Sequence, residues 1–268
     1  MAMEQKQKPY SQRTLYKLYG FDAVAAACSS VLVSPFIAIV DRSIIENTNG
    51  KRTLSEGFKY GARQLIMEPH RFFFSKQFGL VSGLYFSTYM TANVIETTAE
   101  YHGIDSSRTS MLKFIGTTSV NMSLCIFKDR SFTQMFGTAA ARRLPVLSYL
   151  LFALRDSLTV AASFNAPIYF SHYLQGKCAS LKEKPDSALV VAQLACPAAV
   201  QFISTPLHLI ALDLYNRPTA SPKERQLLVK QQYLKSTFAR IGRIGPAFGF
   251  GGIGNTYVRS YRSMFLNA

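Results

Sequence analysis

The stretch SPFIAIVDR, residues 34–42, decides how this chain is read. Proline removes a helix hydrogen bond and clashes with the preceding turn, so a water-soluble helix rarely keeps one in its interior. Here Pro35 lies inside an apolar run, and charge returns only at Asp41 and Arg42. Working outward, no charged residue occurs from 23 to 40. A bilayer's apolar core takes ~20 helical residues to cross, and neighbouring helices in a membrane bundle satisfy the backbone groups that a proline frees.

The rest of the chain repeats this pattern. Residues 77–95 and 187–212 are also free of charge. The windows 114–127, 144–176 and 244–258 are weaker: the middle one is interrupted by Arg155, Asp156 and Pro167, and the last is rich in glycine. Windows this polar suit helices packed around a wet interior. The sequence therefore predicts an all-α, six-transmembrane-helix bundle, with helices at roughly 14–47, 70–98, 109–132, 144–174, 187–214 and 243–264.

Composition agrees. Hydrophobic residues make up 48% of the 268 and charged residues 17%, below the usual quarter, and the mean hydropathy is +0.08. The net charge is +15. The basic residues lie between the apolar windows without a dense patch interleaved with aromatics, which argues against nucleic acid and for an anionic bilayer surface. Segments 42–71, 128–143 and 213–243 hold 17 of the 30 Lys and Arg residues, so with six spans all three fall on one side of the membrane. The residues Cys28, Cys125, Cys178 and Cys196 form no CxxC pair, and neither a disulfide framework nor a metal site is expected. The tail MAMEQKQKPYSQRTLYK has no apolar secretory core, so targeting information is expected to be internal.

The basic connectors carry their own signals. TLSEGFKYGARQLIME (53–68) places Thr53 and Glu56 at capping-box spacing and reads as an amphipathic helix lying along the membrane. ERQLLVKQQYLKSTFARI (224–241) has the same character, and SFTQMFGTAAARR (131–143) is a shorter version. Helix, basic connector, helix thus recurs three times, giving one membrane domain of pseudo-repeats at about 14–98, 109–174 and 187–264. IVDRSI (39–44) returns as FKDRSF (127–132), and Pro206 followed by Asp213 echoes Pro35 followed by Asp41.

Three such repeats resemble the mitochondrial carrier family over about residues 14–264. GLYFSTY (83–89) is similar to that family's aromatic ending of the second helix, ARRLP (141–145) to its fourth-helix contact segment, and RIGPA (243–247) to its sixth-helix contact segment. By this resemblance Lys76, Gln77, Arg142, Arg143 and Arg243 are substrate-contact candidates, implying a basic cavity for a small anion. Pro35, Lys128, Pro206 and His208 fall at helix-kink and gate positions. The departures are as marked. Ile37, Cys125 and His208 stand where gate acids belong, and of the gate bases only Lys128 survives. Asp41–Arg42 and Asp129–Arg130 lie beyond the motif positions and read as helix-end charges at the membrane surface.

Two functions follow from the resemblance. With its gate charge networks eroded, the chain is expected to be a non-transporting accessory subunit of an inner-membrane assembly such as a respiratory complex. The alternative is an active, divergent carrier exchanging a small anionic metabolite across the mitochondrial inner membrane. Either way its partners include the bilayer, with an anionic lipid such as cardiolipin, and no cofactor is expected. GFGGIG (249–254) lacks the following acidic residue of a dinucleotide site and reads as close helix packing, and no catalytic constellation stands out.

Overall fold

The computed structural model describes residues 10–137, 143–164, 166–177, 182, 185–247, 251, 252, 254–262 and 264, and these are all helix, turn or irregular segment. The first helix, α1 (Gln12–Thr48), starts where the Ser11 hydroxyl accepts from the Thr14 N–H at 3.2 Å, and it runs through Pro35. The amphipathic α2 (Leu54–Met67) follows, then a single turn, α3 (Pro69–Phe73). Next come α4 (Lys76–His102), α5 (Ser106–Phe136), α6 (Val146–Phe164) and α7 (Ala166–Lys177). The chain continues through α8 (Pro185–Ala199), α9 (Gln201–Asn216) and α10 (Pro222–Gly242) to α11 (Ile244–Pro246) and α12 (Gly254–Ser260).

The helices close a circuit. α1 packs on α4, α4 on α5, α5 on α6, and α6 on both α8 and α9; α11 packs on α8, and α12 returns to α1. Their polarity is that of a membrane protein. Asp22, Ser29, Ser30, Ser34 and Asp41 of α1 are buried, while Val24, Val31, Leu32 and Phe36 are exposed. In water this arrangement would put charge inside and oil outside; in a bilayer the exposed face meets lipid and the polar face is shared among helices. Among the described residues, three segments are long and apolar enough to cross a membrane: Gln12–Thr48, Val146–Ser163 and Ser187–Asn216. The second, third and sixth expected spans are not among them; the charge-free window covered by α4, for one, is diluted by Ser, Thr, Tyr and Asn.

The expected boundaries shift in places. The fourth helix is covered by α6 up to Phe164 and by α7 from Ala166. The fifth divides at Val200, between Pro197 and Pro206. The third, conversely, runs on to Phe136 and absorbs the first half of the middle connector.

The two long basic connectors form the amphipathic helices expected of them. Both carry full capping boxes: Thr53 with Glu56, and Ser221 with Glu224. Each glutamate accepts from its cap residue's N–H, at 2.8 and 2.6 Å, which holds both carboxyls below the usual carboxylate range. Gly57 and Gly61 let α2 approach α1 closely. A methyl carbon at Gly57 would stand 2.8 Å from Ser43 Cβ, and one at Gly61 2.7 Å from Ile39 Cγ2. At the end of α4, Gly103 takes a left-handed conformation (φ 62°), which turns the chain so that the Ile104 N–H reaches Ala99 O at 2.9 Å.

Candidate functional site

Inside the circuit lies a cavity of about 330 Å³. α4 contributes Tyr85, Thr88 and Tyr89; α5 contributes Thr117, Thr118, Asn121, Cys125 and Lys128; α6 contributes Asp156, Thr159 and Ser163. Ile37, Pro197, Gln201 and Arg243 come from the remaining walls. The lining mixes hydroxyls, amides and phenols with aliphatic patches at Val81, Leu84 and Val160. Such a surface suits a small solute that both donates and accepts hydrogen bonds.

One end of the cavity rests on a ladder of alternating charges. Arg243 donates from Nη1 to Asp41 Oδ1 at 2.6 Å, and Lys128 donates to the other oxygen of Asp41. Lys128 also reaches Asp129 Oδ1 at 2.9 Å. Arg155 donates from Nη2 to Asp129 Oδ2 at 2.5 Å and to Asp156 Oδ1 at 2.6 Å, while its Nη1 meets His208 Nδ1 at 2.8 Å. The sequence Arg243, Asp41, Lys128, Asp129, Arg155, Asp156 therefore crosses from the end of α10 to α1, α5 and α6, with α9 attached through His208. Its interior members are almost wholly buried. Buried charges persist only when paired and hydrogen-bonded, and here each is.

A second cluster sits toward the start of α1. Asp22 accepts from Arg259 Nε at 2.9 Å and from the Thr97 hydroxyl at 2.6 Å. Arg259 also pairs with Glu96, which takes Lys113 at 2.6 Å. Asn93 and Asn255 exchange two amide hydrogen bonds of 2.9 and 2.8 Å. These contacts join α1, α4, α5 and α12. Asp22 and Asp41 stand 19 residues apart, about 28 Å along the helix, so the two clusters are separated by nearly a bilayer's apolar thickness.

The expected site residues scatter across this arrangement. Arg243 and Lys128 line the cavity and belong to the ladder. His208 is buried against Arg155 and the Phe152 ring. Gln77 is buried outside the cavity, donating to Ala38 O and accepting from Arg42. Lys76 and Arg143 are exposed, Arg142 lies outside the described residues, and Pro35 is buried within α1 and Pro206 lies within α9. The helix-end reading of Asp41 and Asp129 is corrected: both aspartates turn inward to the ladder, while Arg130 is exposed and Arg42 pairs with Glu46 at 3.0 Å. Sequence reasoning also passed over Asp22, Arg259, Asp156 and the buried Arg240, whose Nε donates to Gln201 Oε1 at 3.0 Å. GFGGIG behaves as a packing segment where it is described: a methyl carbon at Gly251 would stand 2.7 Å from Val33 Cγ2.

Comparison with known proteins decides the family. The model of a family described as probable citrulline exporter matches residues 25–263. The chain belongs to this family. The resemblance to mitochondrial carriers is thereby overturned, since the matching family is not a carrier family. The expectation of a non-transporting accessory subunit falls with it, both because the family is one of exporters and because the ladder supplies the buried charge pairs thought to be missing. Members of the citrulline-exporter family are transport proteins by that description, which agrees with the membrane character of the helices. No curated protein and no solved structure gave a match.

Proposed function

We propose that the chain is a membrane transporter that moves a small, carboxylate-bearing amino acid of the citrulline class through the central cavity. The observation that carries this reading is the cavity itself, set between two clusters of buried ion pairs near opposite ends of α1. A solute entering from one side meets a paired, desolvated charge layer on the other, the arrangement that alternating access requires. Around the cavity the buried Lys128, Arg155 and Arg240 and the part-buried Arg243 stand against Asp41, Asp129 and Asp156, which leaves one positive charge for a substrate carboxylate. Citrulline's ureido end is uncharged and both donates and accepts, matching the threonine, asparagine and glutamine side chains of the walls. The cavity volume sits at the lower end of the ~300–1,000 Å³ usual for small-molecule sites.

Two finer readings accompany it. Six spans in three pseudo-repeats (14–98, 109–174, 187–264) are supported by a recurring clamp. Arg52, just before α2, holds Glu46 near the end of α1 at 2.9 Å, and Arg225 of α10 holds Asp213 near the end of α9 at 2.8 Å. We assign the protein to the mitochondrial inner membrane, supported by a surplus of 15 positive charges suited to an anionic bilayer rich in a lipid such as cardiolipin. Purified protein in liposomes preloaded with radiolabelled citrulline tests the main reading. Saturable efflux, lost in Arg243→Ala, is the expected result; liposomes that retain citrulline as well as protein-free ones do would refute it.

A further inference from the structure

One carboxylate oxygen of the ladder is left over. Asp156 is buried, and its Oδ1 accepts twice from Arg155, from Nε at 2.9 Å and from Nη2 at 2.6 Å. Its Oδ2 is buried with no hydrogen-bond partner among the described residues, and Asp156 lines the cavity. Thr118 Oγ1, also on the cavity wall, is unpartnered in the same way. A buried acceptor with full negative character costs free energy when it is left unmade, and it is satisfied best by a cationic donor. The opposite end of the ladder also reaches the cavity, but there it presents a cation, Arg243. The cavity is therefore offered a cation from one end of a continuous chain of charges and an open carboxylate oxygen from the other.

We propose that Asp156 is the residue that reads the substrate's ammonium group, so the site selects zwitterionic amino acids and discriminates against the corresponding carboxylic acids that lack the amine. This rests on the transport reading above and deepens it by naming the selecting group. The ammonium donates to Asp156 Oδ2 while the carboxylate lies toward the positive side, and a solute bearing only the carboxylate leaves Oδ2 unsatisfied. A missing charge-assisted partner of this kind costs about tenfold or more in affinity. A cavity reading only anions would have no use for a free aspartate oxygen in its wall.

The test is a displacement assay on the full chain in detergent, with radiolabelled citrulline as the probe and 5-ureidopentanoate, which is citrulline without its amine, as competitor. Wild-type protein is expected to bind citrulline at least about tenfold more tightly than 5-ureidopentanoate. Asp156→Asn should bring the two to parity mainly by weakening citrulline, and Asp156→Glu should restore part of the preference. Unaltered binding of 5-ureidopentanoate shows that the Asn variant is folded, and the wild-type comparison needs no variant at all. Equal wild-type affinities, or a preference that survives in Asp156→Asn, overturn the proposal. Glutamine and its des-amino partner, run in parallel, separate the two claims. A preference for glutamine that disappears in Asp156→Asn, with no citrulline binding, sinks citrulline as the substrate and supports Asp156 as the ammonium reader. Failure of both amino acids to bind overturns both.

Discussion

Asp41 accepts from two cations that reach it from different directions, Lys128 of α5 and Arg243 at the end of α10. Asp129 does the same with Lys128 and Arg155. Removing one member therefore strands two partners in a dry interior, and breaking a buried pair in this way costs about 3–5 kcal/mol. Asp129→Asn is expected to lower the thermal unfolding midpoint sharply in detergent. An exposed pair gives the contrast: Arg71→Ala, which loses only a 3.1 Å contact to Glu68, should leave the midpoint within experimental error. These residues were visible in the sequence without their meaning. Asp41 lies four residues after Ile37, and Asp129 four after Cys125, so each aspartate shares a helix face with the residue that was weighed, one turn further along. A fixed spacing rule borrowed from a family to which the chain does not belong looked one turn too early. Asp22 and Arg259 escaped for a different reason. Each stands immediately outside a charge-free window, at 22 before 23–40 and at 259 after 244–258, and served as a boundary rather than as a candidate pair.

At the scale of elements, α2 shows how much a connector's chemistry fixes. Its capping box was legible from Thr53 and Glu56 alone, because that motif is local. Its docking on α1 was not, although Gly57 and Gly61 have the spacing of a small-residue seam, because such a seam does not say which helix it faces. Gly61→Val should push against Ile39 and destabilise the protein by about 1–3 kcal/mol, read as a lower unfolding midpoint. The capping box gives a pH prediction. Glu56 titrates below its ordinary 4.5 in the folded chain because of its bonds from Thr53. Its contribution is complete above the unfolded value and is lost as pH falls through the lowered folded one. Amide exchange at the start of α2 should therefore speed up on acidification through that window, and Glu56→Gln should flatten the response. Unlike the cap, the break at residue 200 was only half legible. Prolines announced trouble in that window, but a proline permits either a break or, as at Pro35, an unbroken helix, and packing around it decides which.

For the whole molecule, the circuit of helices puts a single thiol, Cys125, on the cavity wall among the described cysteines, while Cys28 is exposed on the outer face of α1. In a background of Cys28→Ser, Cys178→Ser and Cys196→Ser, citrulline at saturating concentration should slow modification of Cys125 by a small methanethiosulfonate reagent severalfold. Labelling indifferent to citrulline would place the solute elsewhere. That the chain is helical and membrane-embedded could be read from charge-free windows; that its polar faces meet around one cavity depends on which helices become neighbours, which no window records.

The ladder has one more consequence. Because each interior rung serves two neighbours, loosening one contact weakens the next, and under the proposed transport function the ladder is expected to part as a unit. A membrane that stores a voltage drains through any protein that idles with its barrier ajar. A barrier made of mutually dependent charges would keep that idle time short, and so guard the electrical insulation of the bilayer.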